Sequence, residues 1–160
     1  MDERLLRTVQ ALREVGADWA VLASVDGVAY ATGHFAPIEA GPSPFAGGPS
    51  IALIDRHGTA GLVCVNVEAA AAAASRVTEV ETYEGYAFDH GVDYIDSYRT
   101  AVGSLVRRLG VGGRLAGERS HVPHILGDVL PVDTALDLTP ALRRLRATKT
   151  ALELQALRRS

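Results

Sequence analysis

The chain has 160 residues, of which 48% are hydrophobic and 22% charged, a balance typical of one folded globular domain rather than a disordered segment. No apolar run approaches the ~20 residues of a membrane span, and the polar start from Met1 to Arg4 does not resemble a signal peptide, so we expect no membrane partner. The single cysteine, Cys64, excludes an intrachain disulfide and favours a reducing, cytoplasmic location.

The formal net charge of −3 is unevenly distributed along the chain. Residues 143–160 contain six basic side chains and one acidic one, Glu153, a net charge of +5, so the rest of the chain carries −8. The basic segment has none of the interleaved aromatic residues that nucleic-acid binders use, and an acidic body repels a phosphate backbone. We therefore expect no nucleic-acid partner.

The first predicted elements are a helix and two strands. Apolar residues at helical spacing predict a helix over residues 5–12, and Gly16 is a typical helix end. The apolar run 17–24 predicts a buried strand. Asp26-Gly27 is a strong hairpin-turn signal, so residues 27–32 are predicted to return as a second strand.

Residues 33–50 predict a long loop, because four prolines interrupt every helical or strand pattern in this segment. His34 and Phe35 open the loop, and Glu39 is its only acidic residue. Long loops within a compact domain are usually functional or disordered, and binding residues concentrate on loops that a rigid scaffold supports.

The middle of the chain shows regular alternation of strands and helices. Residues 50–55 and 60–66 predict a second hairpin, and the alanine run after Glu68 is a strong helix former. Residues 77–83 predict a further strand. The amphipathic pattern that follows predicts a helix that ends at Gly110.

The last third contains a short strand and three helix starts. Residues 114–117 predict the strand, and Ser120 is a suitable cap for a helix that carries Ile125. Thr139 followed by proline is a typical N-cap, and Thr150 with Glu153 forms a capping box at the start of a further helix.

The helix that starts at Thr150 has no sequence signal for its end before Ser160. Two turns of isolated helix are marginally stable, so such a well-defined start favours a longer helix. We therefore expect one domain over residues 1–147 and, over residues 148–160, the start of a linker helix that leads to a further, C-terminal domain.

Candidate residues for independent chemistry are few. His121, His124 and Asp128 would share one face of a helix and could hold zinc with a water, although a polar outer face is the favoured interpretation. Cys64 lies mid-strand, where a buried unreactive thiol is expected. Asp93 lies in an acidic cluster that suits a helix N-terminus. No nucleophile elbow or phosphate-binding loop occurs in the sequence.

Four motifs in order resemble those of one protein family. They are Gly16-Ala17-Asp18, Tyr30-Ala31-Thr32-Gly33, Arg114 to Glu118 with its Gly-Glu end, and the Arg-x-x-Lys-x-x-x-Glu-Leu pattern from Arg146 to Leu154. Together they are similar to the N-terminal domain of the creatinase/prolidase/aminopeptidase P superfamily. The resemblance extends from about Arg4 to Ser160.

The resemblance implies an α/β fold, a mixed β-sheet flanked by helices. In full-length relatives a "pita-bread" catalytic domain follows, and two Asp, one His and two Glu hold a pair of divalent metals there. Those enzymes typically hydrolyse the bond before proline. The resemblance therefore implies that this chain holds no cofactor and no catalytic residue, and that its partner is its own C-terminal catalytic domain.

The resemblance also implies homodimer contacts, in which the loop after Tyr30 reaches the partner's active site. By position, His34, Phe35 and Glu39 are then the substrate-pocket residues. Creatinase places an arginine soon after this element, whereas here none occurs before Arg56, which argues against creatine as substrate. Two alternatives stay open: a free-standing small-molecule-binding or dimerisation module, and a relative of creatinase-like amidinohydrolases.

Overall fold

A computed structural model describes residues 2–35 and 48–159. In these residues the strands form one six-stranded sheet: β1 Trp19–Leu22, β2 Ile51–Asp55, β3 Ala60–Val65, β4 Glu79–Tyr83, β5 Leu115–Gly117 and β6 Leu136–Asp137. Their order is β4-β3-β2-β1-β5-β6. The pairs β1–β2 and β2–β3 are antiparallel and the other three are parallel, so the predicted mixed sheet is confirmed.

Six helices accompany the sheet in the described ranges: α1 Glu3–Glu14, α2 Val25–Thr32, α3 Ala69–Ala73, α4 Tyr94–Leu109, α5 Thr139–Ala147 and α6 Ala151–Arg159. None of them is both long enough and apolar enough to span a membrane. The alanine run forms only five residues of α-helix, and Ala74 is the C-cap of α3.

Both faces of the sheet are buried, and the side chains of β1 show how. Trp19 and Val21 pack on one face with the apolar side of α4, whereas Ala20 and Leu22 pack on the other face with α1, α2 and α5. Because successive strand residues point to opposite faces, a strand covered on both sides must be apolar throughout. This explains why the central strands appear in the sequence as continuous apolar runs.

Residues 25–32 form helix α2, so the predicted turn at Asp26-Gly27 and the predicted strand over 27–32 are wrong. Ser24 caps the helix, since its Oγ accepts a hydrogen bond from the backbone N–H of Gly27 at 2.9 Å. An added Cβ on Gly27 would lie 2.6 Å from the carboxylate oxygens of Glu118. The glycine therefore permits a close approach within a helix and does not form a turn.

The carboxylate of Glu118 is buried and joins β5 to the start of α2. It accepts hydrogen bonds from the backbone N–H groups of Ala23 (3.0 Å) and Ser24 (2.9 Å) and from the Ser24 hydroxyl (2.6 Å). Both oxygens of this buried carboxylate therefore have a hydrogen-bond donor. The Gly-Glu end of the Arg114 to Glu118 motif thus holds two distant chain segments together.

Two further helix starts differ from the prediction. The segment after Ser120 is not an α-helix; a 3-10 turn over His124–Asp128 follows Pro123, and no side chain caps it. Helix α5 includes Thr139 as its first residue, and the carboxylate of Asp137 accepts the Thr139 N–H at 2.9 Å. The N-cap residue is therefore Leu138, which has no capping side chain, and Asp137 before it accepts the first backbone N–H of the helix.

Three other predictions based on local signals are confirmed. The hairpin of β2 and β3 is antiparallel, and α4 is capped by Asp93 and ends at a left-handed Gly110. At the start of α6, Thr150 Oγ1 accepts the N–H of Glu153 at 3.1 Å, and Glu153 Oε2 accepts the N–H of Thr150 at 2.7 Å. These reciprocal bonds are the predicted capping box.

Candidate functional site

The chain turns sharply after α2 and directs His34 into the protein. Gly33 ends the helix in the left-handed region (φ 76°), and the backbone N–H of His34 donates to Thr32 Oγ1 at 3.0 Å. The side chain of His34 is 0% exposed, whereas the side chain of Phe35, the next residue, lies on the surface with 60% exposure for the residue. Of the predicted pocket residues, His34 is thus internal and Phe35 is external, and Glu39 lies outside the described residues.

His34 belongs to a cluster with Glu68 and Cys64. Its Nε2 lies 3.0 Å from Glu68 Oε2, which also accepts a hydrogen bond from the Ser50 hydroxyl at 3.1 Å. One potential ligand atom from each of His34, Cys64 and Glu68 lies within 4.8 Å of the other two. Within the residues that the structure describes, no other grouping of His, Cys, Asp and Glu approaches in this way.

The sheet topology brings these residues together. Because β2 and β3 are antiparallel, the start of β2, which Ser50 precedes, lies beside the end of β3, where Cys64 is the penultimate residue. Glu68 is the last residue of the 3-10 turn that follows β3. His34, which follows the end of α2, lies at the same end of these two strands.

The cluster is a weakly solvated polar site against an apolar core. Burial and the negative charge of Glu68 raise the pKa of the Cys64 thiol to about 12, so the thiol is protonated at neutral pH. Nδ1 of His34 is buried and has no hydrogen-bond partner among the described residues. Glu68 forms no ion pair with Lys or Arg in the same part of the chain, and its carboxylate faces the imidazole of His34.

The sequence identified His34 but not its partners. Cys64 lies two residues after Leu62 and therefore on the same face of β3, the face that α2 covers, and Glu68 ends the 3-10 turn that follows the strand. That spacing is a signal that could have assigned the thiol to the side of His34. The pairing itself depends on which strand edge α2 reaches, and no local pattern encodes that.

The alternative zinc residues are not brought together as the prediction required. Asp128 Oδ2 accepts a hydrogen bond from Arg99 at 3.1 Å, and His121 Nδ1 lies 3.0 Å from the Ser120 hydroxyl. His121 precedes the 3-10 turn that contains His124, so the assumed common helix face does not exist. The favoured interpretation, a polar surface, fits these contacts.

Two tyrosines fix the chain where it returns at Gly48 and Pro49. The hydroxyl of Tyr83 donates to the carbonyl of Gly48 at 2.8 Å, and that of Tyr98 donates to the carbonyl of Pro49 at 3.0 Å. Both tyrosines pack on the face that α4 covers, whereas Cys64 beside His34 packs on the opposite face. The described residues on either side of the segment 36–47 therefore lie near opposite faces of the sheet.

Exposed apolar side chains surround this edge. We call Phe35, Val67, Tyr86 and Phe88 the apolar rim; all four are exposed, and Phe88 is 95% exposed. Asn66, which precedes Val67, donates from its Nδ2 to the Tyr86 carbonyl at 2.8 Å. The rings of Tyr86 and Phe88 pack edge to face with centroids 5.0 Å apart. Neighbouring exposed aromatic side chains are typical of an interaction surface.

The segment before α6 is held firmly against the domain. Arg7 on α1 donates to the carbonyl of Leu145 at 3.0 Å and also to that of Thr148. The guanidinium of Arg146 lies 4.9 Å from the ring centroid of Tyr30 on α2. Residues from two motifs that were far apart in the sequence therefore contact each other.

The metal pair that the resemblance implies does not fit the described residues. Such a centre needs several carboxylates around two ions, and the cluster at His34 provides a single carboxylate, Glu68. No catalytic step is therefore assigned to the part of the chain that the structure describes.

The chain matches one protein family and is similar in fold to several solved structures. The family model of the creatinase/prolidase N-terminal domain matches residues 4–148. Dipeptidase PepE from Mycobacterium ulcerans is 21% identical with a TM-score of 0.62, and the match covers 96% of this chain and 38% of that one. The Xaa-Pro dipeptidase from Bacillus anthracis is 19% identical with a TM-score of 0.64 and the same two coverages.

An isolated N-terminal domain is also similar. The creatinase/prolidase N-terminal domain of an X-Pro dipeptidase from Streptococcus pyogenes is 15% identical with a TM-score of 0.63, and the match covers 89% of this chain and 98% of that one. No curated protein sequence matches the chain. The chain thus spans about two-fifths of the complete dipeptidases and nearly all of the isolated domain. On the family match over 145 of its residues, the chain belongs to the creatinase/prolidase N-terminal domain family.

Proposed function

We propose that this chain is the non-catalytic N-terminal domain of a metal-dependent hydrolase similar to Xaa-Pro dipeptidases and aminopeptidases. Its coverage of 38% of two solved dipeptidases supports this, because it leaves room for a catalytic domain. Residues 1–147 are the domain and residues 148–160 begin the linker helix. The family match that ends at residue 148 and the capping box at Thr150 support that boundary.

In the proposal, the divalent metal pair and the hydrolytic chemistry belong to the C-terminal domain. The contribution of this domain is to position a partner surface and to complete a substrate pocket. A cytoplasmic location follows the same proposal, since the buried free thiol of Cys64 suits a reducing compartment.

The apolar rim is the observation that carries the role of this domain. Aromatic residues are enriched where protein surfaces meet, and Phe88 exposes almost its whole side chain beside Tyr86. We assign the rim to the contact with the second copy in a homodimer. His34 anchors the segment from inside, while Phe35 and, in the adjoining segment, Glu39 reach the substrate pocket of the partner.

The first test is the reading frame beyond Ser160. We expect it to continue and to encode two Asp, one His and two Glu as metal ligands. The 160-residue chain alone is expected to hydrolyse no Xaa-Pro dipeptide with any added divalent metal. A stop codon after Ser160, or a continuation without that ligand set, would contradict the proposal and favour the free-standing binding or dimerisation module.

The second test uses the full-length protein. Phe88→Ser is expected to weaken the dimer by about 1–3 kcal/mol, as is usual for an aromatic contact residue, and light scattering over a dilution series measures this. Phe35→Ala is expected to raise KM for an Xaa-Pro dipeptide with little change in kcat.

The matched control is Leu6→Ala on α1, which truncates a similarly exposed apolar side chain away from the rim. It should leave both the mass and KM unchanged. If Phe88→Ser and Phe35→Ala behave like Leu6→Ala, the rim does not contact a partner and the pocket role fails.

A further inference from the structure

We propose that His34, Cys64 and Glu68 bind a single Zn²⁺ ion within this domain. The site is separate from the metal pair of the hydrolase, and the inference does not depend on the proposed function. Thiolate, imidazole and carboxylate are the three side-chain ligands that zinc uses in proteins.

The geometry of the cluster is close to that of a tetrahedral site. Bonds of about 2.0–2.3 Å to zinc place neighbouring ligand atoms roughly 3.3–3.8 Å apart. The three potential ligand atoms here lie within 4.8 Å of one another, and His34 Nε2 and Glu68 Oε2 are 3.0 Å apart. Movements of about 1 Å or less by side chains therefore form the site. The Ser50 hydroxyl or a water completes four-coordination.

The unmet polar capacity of the cluster points to a cation. The Glu68 charge is largely buried and has no Lys or Arg partner among the described residues. A divalent ion supplies the positive charge that neither neighbouring strand provides.

Zinc binding changes the protonation of Cys64. Without metal, burial keeps its thiol protonated. The ion replaces the thiol proton, so that a zinc–sulfur bond forms, the sulfur–hydrogen bond breaks, and the proton leaves to solvent. No oxidation or reduction occurs. Binding therefore releases a proton and becomes tighter as pH rises.

The test is a Co²⁺ titration of the 160-residue chain, followed by displacement with Zn²⁺. Cobalt bound to thiolate gives a charge-transfer absorption band in the near ultraviolet, and Cys64 is the only cysteine that can produce it. We expect saturation at one equivalent, loss of the band when Zn²⁺ is added, and a higher Tm with Zn²⁺. A folded chain that shows no thiolate band in excess Co²⁺ would overturn the proposal.

Variants identify the ligands. Cys64→Ser is expected to abolish the band, and the near-isosteric Glu68→Gln and His34→Gln are each expected to weaken binding at least about tenfold. His121→Gln is the matched control, since it removes an exposed histidine outside the cluster, and it should bind Co²⁺ as the wild type does. Circular dichroism confirms that each variant is folded.

The two ligand variants together can refute the zinc site. Wild-type affinity in both folded Glu68→Gln and folded His34→Gln would show that the thiol binds metal without these ligands, and the site would be wrong. If one of these variants does not fold, the other one and the wild-type titration decide the question.

Discussion

Two carboxylates at opposite ends of helix α2 are used in different ways. At its start, Glu118 accepts three hydrogen bonds from Ala23 and Ser24 and lies against Gly27. At its end, Glu68 accepts a hydrogen bond from Ser50 and faces the His34 imidazole, beside the Cys64 thiol. Glu118 is buried and the Glu68 side chain is only 15% exposed. Exposure to solvent therefore does not account for the different numbers of hydrogen bonds.

The difference indicates which carboxylate has a structural role and which one has capacity for a ligand. A buried carboxylate with donors on both oxygens is held in one geometry, and a ligand would have to compete with those hydrogen bonds. A partly satisfied group next to a thiol and an unpaired imidazole nitrogen retains lone pairs for another atom. The family motif contains Glu118, whereas Glu68 lies outside the four motifs. The resemblance therefore indicates the architecture but not this second polar cluster.

The largest expected effect is at Glu118. Glu118→Ala leaves the backbone N–H groups of Ala23 and Ser24 without an acceptor, so we expect the free energy of unfolding to fall by about 3–5 kcal/mol. Urea unfolding monitored by the fluorescence of Trp19 measures this. A loss below 1 kcal/mol would mean that the start of α2 is held by packing alone.

Next in size is the reactivity of Cys64. With a thiol pKa of about 12, the thiolate fraction at pH 8 is about a thousandfold below that of an unperturbed cysteine. Alkylation of the folded, metal-free chain at pH 8 should therefore be at least about 100-fold slower than alkylation of the chain in urea. Similar rates in the two states would show that the cluster is open to solvent and would weaken the contrast with Glu118.

A smaller effect is expected at Glu68 in the absence of metal. Glu68→Gln keeps the shape and one carbonyl oxygen, which can still accept from Ser50, so the free energy of unfolding should change by about 1 kcal/mol or less. The matched change Glu118→Gln should cost clearly more, because it directs an amide NH₂ at donor groups. Equal losses for the two variants would remove the distinction between the two carboxylates.

The smallest effect concerns an exposed carboxylate, Asp18. The N–H of Arg114 donates to it and lowers its pKa, burial opposes this, and Arg56 at 3.2 Å lowers it further. A lowered pKa in the folded state stabilises the fold above the unfolded value, about 3.9, and this contribution is lost as pH falls through the folded value.

Asp18→Asn should therefore lower the urea midpoint slightly at pH 7, and the difference from the wild type should close as the pH falls through the lowered pKa of Asp18. High salt should reduce the effect at pH 7, because the Arg56 contact is exposed and screened. A difference that widens as the pH is lowered would contradict this account.

Three elements with local signals at both ends or at a turn could be predicted from the sequence. The β2–β3 hairpin has its turn at Arg56-His57-Gly58, α4 has Asp93 and Gly110 at its ends, and the start of α6 has its capping box. Each depends on residues within a few positions of one another. The mixed sheet followed from the resemblance, because no local pattern decides the order of strands.

Two of the failures involve contacts between distant residues. Ser24 caps α2, and Glu118, which lies 94 positions away, holds Ser24 in place. This distant contact outweighs the local turn signal at Asp26-Gly27. The helix predicted after Ser120 is replaced by a 3-10 turn that follows Pro123. The cluster at His34 combines residues from α2, β3 and the turn after β3, and only the folded sheet brings them together.

The position of β1 within the sheet has a consequence for synthesis on the ribosome. One edge of β1 pairs with β2, but its other edge pairs with β5, so that Trp19 contacts both Asp55 and Leu115. A growing chain that has emerged as far as β4 can form four strands, yet the second edge of β1 stays unpaired until β5 appears. An unpaired apolar edge is a site of aggregation, so nascent chains of intermediate length carry a hazard that the finished sheet has removed.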